Sequence, residues 1–283
     1  MNTRNFVSSR RQTAISKYLF SPRTNETYDL LQRIFDQLQY YEDHYQLYNS
    51  SIEFRCIAAV IGEQHTFNIT MIRNFFMNPK LQLTHIVEID LSGMFKQITD
   101  FSYFFAGMPN LEVVNLTGCD FSNTTLLHGT FRDCPKLHTI IGLECLFASK
   151  PTDIEHCFDN TGFKTLDLSG WTNLKYSRTS HKFIHHMMNL ETLRLNNITF
   201  ESMETIDNLI SDCPKLKTFE CYEIHFPSAR YVHYAFAELP LCDNIHTWEN
   251  KEFRRLQSLK GGSTCFHKSE PLKRFAEFET WEA

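Results

Sequence analysis

At 283 residues the chain can form one elongated repeat domain with caps, or two ordinary domains. Apolar residues make up 42% and charged residues 22%, the balance of a folded soluble protein with a sizeable core. A net charge of −5 and a pI near 6.2 give no basic excess for binding a phosphate backbone, so nucleic acid is not an expected partner.

The first segment, residues 1–24, carries Arg4, Arg10, Arg11 and Arg23 and reads as a flexible basic arm. It holds no apolar run long enough for a secretion signal, and no later window of about 18 apolar residues could span a bilayer. The nine Cys are odd in number and scattered without CxxC pairs. They are expected to be reduced core thiols of an intracellular, cytoplasmic protein. Six N-x-S/T sequons, at Asn25, Asn49, Asn68, Asn115, Asn123 and Asn197, point the other way, towards a secreted or surface glycoprotein. Any Asn- and Thr-rich chain would also contain them, and the lack of a leader favours the intracellular reading.

Residues 25–83 read as a helical N-terminal cap. Leu30, Leu31, Ile34, Phe35, Leu38 and Tyr41 form one apolar stripe at helical spacing, and Asn25 or Thr27 is placed to cap it. The phrase MIRNFFMNPKL (71–81) resembles the closing half of a repeat and leaves room for a degenerate coil before Ile86.

The strongest signal is internal repetition over 84–248. Six segments, IVEIDL, LEVVNL, LHTIIG, FKTLDL, LETLRL and LKTFEC, begin at Ile86, Leu111, Leu137, Phe163, Leu190 and Leu216, with a degenerate seventh near Cys242. The spacing is about 26 residues. Positions 1, 4 and 6 are apolar, except that Gly142 takes position 6 of the third segment and Leu143 substitutes for it. Such alternation predicts a short strand in each coil. Gly93, Gly118 and Gly170 then mark a turn off the strand. Position 9 (Met94, Cys119, Cys145, Trp171, Ile198, Ile224) returns inward, and Phe121, Phe147, Phe200 and Phe226 at position 11 are expected to stack as an aromatic spine. Positions 15 to 23 have helix-like spacing and are expected on the convex side. One coil cannot bury this apolar surface alone, whereas stacked coils can. The predicted architecture is an α/β leucine-rich-repeat solenoid of six to seven coils with parallel concave strands.

The repeat phrases resemble a known family. ITDFSYFFAGMPNL (98–111), FSNTTLLHGTFRDCPKL (121–137) and TDIEHCFDNTGF (152–163), together with LTHIVEIDLSGMF and FKTLDLSGW, are similar to BspA-like leucine-rich repeats. That resemblance covers roughly 84–248 and implies a surface protein active in adhesion. The chain departs from the family in its weaker third and fourth returns and in lacking an export signal. A second resemblance, of the DCPKL phrases and of TYDLLQRIFDQLQ (27–39), is to F-box proteins with cysteine-containing repeats, and implies a substrate adaptor.

Residues 249–283 form a C-terminal cap or tail. ENKEFRRLQSLKGG suggests a short helix broken at Gly261 and Gly262, and Leu272, Phe275, Phe278 and Trp281 line a narrow apolar edge.

Little chemistry is visible. His181, His185 and His186 are the best metal candidate, since helical geometry would put the first two on one face, but no Cys or carboxylate stands beside them in sequence. The Cys recur at equivalent repeat positions, as core packing produces and a unique nucleophile would not. No catalytic, cofactor-binding or metal residue is therefore expected. The outward strand positions supply the candidate binding residues: Asp90, Asn115, Asp167, Arg194 and Glu220 in one row, and Thr165, Thr192 and Thr218 beside them. The alternative is the tail, through Phe275, Phe278 and Trp281. The expected function is a non-enzymatic scaffold or protein-interaction module, possibly one subunit of a larger assembly, with a protein partner. A surface adhesin and an F-box-like adaptor are the alternatives.

Overall fold

The structure, a computed structural model, describes residues 87–93, 98–247 and 251–277, all in a compact unit spanning Asn68–Ala283. The basic arm, the helical N-terminal cap, Met94, Phe278 and Trp281 lie outside the described residues.

Each coil contributes one three-residue strand to a parallel ladder. Glu88–Asp90, Val113–Asn115 and Thr139–Ile141 form a three-stranded sheet, and Thr165–Asp167, Thr192–Arg194, Thr218–Glu220 and Asn244–His246 form a four-stranded one. The strands coincide with positions 3 to 5 of the predicted repeat. Their central residues, Ile89, Val114, Ile140, Leu166, Leu193 and Phe219, are buried, so alternation turns one face inward and the other to solvent.

No paired strands bridge Thr139–Ile141 and Thr165–Asp167. Gly142 sits there in the left-handed region at φ 75°, and a Cβ on it would lie 2.6 Å from the Thr117 backbone nitrogen. The chain turns at once into a 3-10 helix, Leu143–Ala148. That early turn shifts the inward positions by one. Leu146 is fully buried, while Cys145 and Phe147 are half-buried. The expected four-membered spine is therefore incomplete. Phe200 and Phe226 stack at 5.1 Å and Phe121 is buried, but Phe147 lies against Trp171 at 5.3 Å near the surface.

The return half of each coil is not helical, which corrects the helix expected at positions 15 to 23. It is a chain of extended steps joined by left-handed corners. One corner falls at Tyr103, Gly129, His156, Lys182, Asn208 and Tyr234, and another at Gly107, Asp133, Asn160, His186, Asp212 and Glu238. A left-handed non-glycine residue costs about 1–2 kcal/mol. Interstrand bonds offset that cost, as in Tyr103 N–H to His128 O (2.7 Å), Phe105 N–H to Thr130 O (2.9 Å) and Gly107 N–H to Arg132 O (2.8 Å). Between corners run further parallel ladders: Asp100–Leu126–Asp153–Thr179, Thr205–Asp207 with Tyr231–His233, and Ile184–His185 with Ile210–Ser211 and Phe236–Ala237. Within the described coils the architecture is thus an all-β leucine-rich-repeat-like solenoid rather than α/β.

The core follows the coil axis. One aromatic column runs through Phe105, Phe131, Phe158 and Phe183, with centroids 5.4, 5.5 and 5.7 Å apart in turn. At the C-terminal end, helices Lys251–Ser258 and Glu270–Glu277 bury Phe253, Leu256, Leu272 and Ala276. Phe236 N–H donates to Cys265 O (2.9 Å) and Val232 N–H to Lys260 O (2.9 Å), so this segment extends the ladders by one irregular rung.

Candidate functional site

The strands at positions 3 to 5 of the coils bring the predicted residues into two groups. In the four-stranded sheet, Thr165, Thr192, Thr218 and Asn244 are in register, as are Asp167, Arg194, Glu220 and His246. Asp90 and Asn115 are in register with Ile141 in the other sheet. Thr165 and Asp167 are exposed, and Thr192, Arg194, Thr218 and Glu220 are half-buried. Neighbouring strands lie about 4.8 Å apart, so the rows are closely spaced. Arg194 Nε lies 2.9 Å from Glu220 Oε1, an ion pair across two strands.

Three of these residues also terminate their strands, a role that sequence reasoning missed. Asp90 Oδ1 accepts from Ser92 N–H, Asn115 Oδ1 from Thr117 N–H, and Asp167 Oδ1 from Ser169 N–H, each at 3.0 Å. These side-chain-to-backbone turns explain Asp or Asn at position 5 wherever the chain must leave the sheet immediately. Asp90 is buried, which leaves it little surface to offer a partner.

On the tail, Phe275 is half-buried and packs edge-on against Phe253 at 5.9 Å.

The histidine trio behaves differently from the helical expectation. His181 faces Asp207 (3.4 Å), His185 faces Asp159 (2.8 Å) and His186 faces Asp212 (2.5 Å). All lie on the return side of the coils, which carries a wider set of histidines and carboxylates. Ser102, His128, Glu155, His181, Asp207 and His233 occupy one column, each one coil from the next. Acid and imidazole alternate from His128 onward.

Asp159 is the most enclosed member of this face. His156 Nδ1 lies 2.7 Å from one of its oxygens and His185 Nδ1 2.8 Å from the other. Burial works against its charge, but the hydrogen bonds from His185 and His156 outweigh it and hold its pKa below the ordinary aspartate value. Burial also depresses the pKa of His156, and here it prevails over the upward pull of Asp159. The pair thus favours an ionised carboxylate beside a neutral imidazole.

Beside it, His128 Nδ1 lies 3.2 Å from Asp153 Oδ2 and 3.9 Å from Glu155 Oε2. This group joins two adjacent coils.

The eight described Cys are free thiols, and all but Cys145 are buried. Burial pushes the thiols of Cys134, Cys213, Cys242 and Cys265 up to about 12, so they are protonated and unreactive at neutral pH.

No protein-family model matches the sequence, and no curated protein does. Among solved structures the chain is similar to one from a crystal structure of a TLR13–ssRNA13 complex, with 15% identity and a TM-score of 0.31. The match covers 73% of this chain and 33% of that one.

Proposed function

We propose that the chain is a non-enzymatic protein-interaction or scaffold module that binds a macromolecular partner through its concave strands. The observation that supports this reading is the in-register polar row Asp167–Arg194–Glu220 beside Thr165–Thr192–Thr218. Backbone ladders fix the positions of these side chains before any partner arrives, so little ordering entropy is lost on binding. Their mixed charge suits a polar protein surface, and the absence of a basic excess argues against a nucleic-acid backbone. The buried, protonated thiols favour packing over nucleophilic chemistry. Among the described residues no helix is long and apolar enough to cross a membrane. We retain the intracellular reading, with adhesion of the BspA-like kind as the alternative that glycosylation of Asn115, Asn123 or Asn197 would favour.

Two variants test the binding face. In the first, Asp167, Arg194 and Glu220 become Ala. The second ends after Glu277, which removes Phe278 and Trp281, and also carries Phe275→Ala. Truncation after Ser269 is unsuitable because it would delete the buried Leu272 and Ala276. Partner capture from the native source should fall at least about tenfold in the first variant, or roughly 1.4 kcal/mol. Loss of capture in the second variant alone would place the binding element in the tail.

A further inference from the structure

We propose that His128, Asp153 and Glu155 form a divalent-metal site that takes a borderline cation such as Zn2+, binding it across two adjacent coils. Among the described residues, the donor atoms of these three side chains all lie within 4.8 Å of one another. A zinc ion binds imidazole nitrogen and carboxylate oxygen at about 2.0–2.2 Å, which sets neighbouring donors roughly 3 to 3.5 Å apart. The His128–Asp153 separation of 3.2 Å already fits, and the His128–Glu155 separation of 3.9 Å needs a movement of only a few tenths of an ångström.

The backbone on both sides of His128 is fixed to the coil that supplies the other two donors. Leu127 N–H donates to Asp153 O at 3.0 Å, and Gly129 N–H donates to Glu155 O at 2.8 Å. His128 therefore projects between its two prospective co-ligands from a clamped rung. Its ring is held from both sides, by Tyr103 at 4.9 Å and His156 at 5.7 Å between centroids. Asp153 is aimed as well. Its Oδ1 accepts from Glu155 N–H (2.9 Å) and from the Thr179 hydroxyl (3.2 Å), which leaves Oδ2 turned to His128. Outer contacts of this kind orient ligands in metal sites.

All three side chains are between one fifth and one third exposed, so an ion can enter from solvent. Three protein donors leave the outward coordination positions to water or to a side chain of a bound partner. Asp159 also meets two histidines, His156 and His185, but among the described residues no other group on this face brings three such donor atoms within mutual reach.

The test uses the full chain with ZnCl2 alone, followed by calorimetry, and with CoCl2 as a spectroscopic reporter. One equivalent is expected to bind with an affinity weakened at least about tenfold by His128→Ala and, separately, by Glu155→Gln, but unchanged by His186→Ala. Glu155→Gln keeps the side-chain shape and so decides the matter if His128→Ala does not fold. Bound cobalt should show d–d bands without a thiolate charge-transfer band. Absence of a stoichiometric site, equal loss in His186→Ala, no loss in Glu155→Gln, or a thiolate band would each overturn the proposal.

Discussion

Truncating Phe158 to Ala should cost far more stability than truncating Phe147, although both belong to aromatic repeat positions. Phe158 is fully buried and meets Phe131 at 5.5 Å, Phe183 at 5.7 Å and Phe163 at 6.3 Å. A buried aromatic removes roughly 150–250 Å2 from water, and at about 25 cal/mol per Å2 that is an upper bound of about 4–6 kcal/mol. Alanine recovers part of it and a cavity adds to the loss, so the expected cost is about 3–5 kcal/mol. Phe147 is half-buried with a stacking contact on Trp171. Solvent can fill the space it vacates, so its cost should be about 1–2 kcal/mol. Guanidinium titration of both variants, followed by far-UV circular dichroism at constant m-value, reads the difference. Equal losses, or a loss below about 1 kcal/mol for Phe158→Ala, would refute the inward register assigned to these coils.

Other outcomes follow from the same geometry. Stability should fall on acidification below about pH 6.5, because His156 and Asp159 both have depressed folded pKa values and the unfolded chain binds more protons. The loss should begin near the ordinary histidine value of 6.5 and deepen towards the ordinary aspartate value of 3.8, and His156→Gln should flatten its upper part in thermal melts. Gly129→Ala should destabilise much more than Gly93→Ala. Both have positive φ, but a Cβ at Gly129 would lie 2.6 Å from the Tyr103 ring while one at Gly93 meets open space. Among the described thiols, Cys145 should alkylate first in native protein, as peptide mass mapping would show; faster labelling of Cys134 or Cys213 would contradict their burial.

Much of the solenoid was legible in the sequence because its strand half is periodic in residue type. The apolar positions of LEVVNL, FKTLDL and LETLRL fall on the inward side of strands within the predicted coils. The return half is not legible in the same way because most of its corners carry side chains rather than glycine. His156, Lys182, Asn208 and Tyr234 all adopt φ between 48° and 55°, so side chains stand where glycine would have signalled a turn. Buried residues between such corners, Phe131 and Phe158 among them, then imitate helical spacing. Phe147 departs from the inward register of its repeat position because Gly142 starts the next turn early. His128, Asp153 and Glu155 escaped because two of the three lie a full coil from the other. Reading the repeat by columns, with His128, Glu155, His181, Asp207 and His233 aligned, would have shown alternating imidazole and carboxylate.

The concave-face claim is tested most directly by zero-length carbodiimide cross-linking of the chain to its captured partner. The reagent joins a carboxylate to a lysine in direct contact, so each linked residue locates the interface. Binding through the strand row should give cross-links from Asp167 and Glu220, which disappear when both are changed to the amides. Cross-links confined to Glu270 and Glu277 of the C-terminal helix, with Asp167 and Glu220 unmodified in the complex, would contradict it.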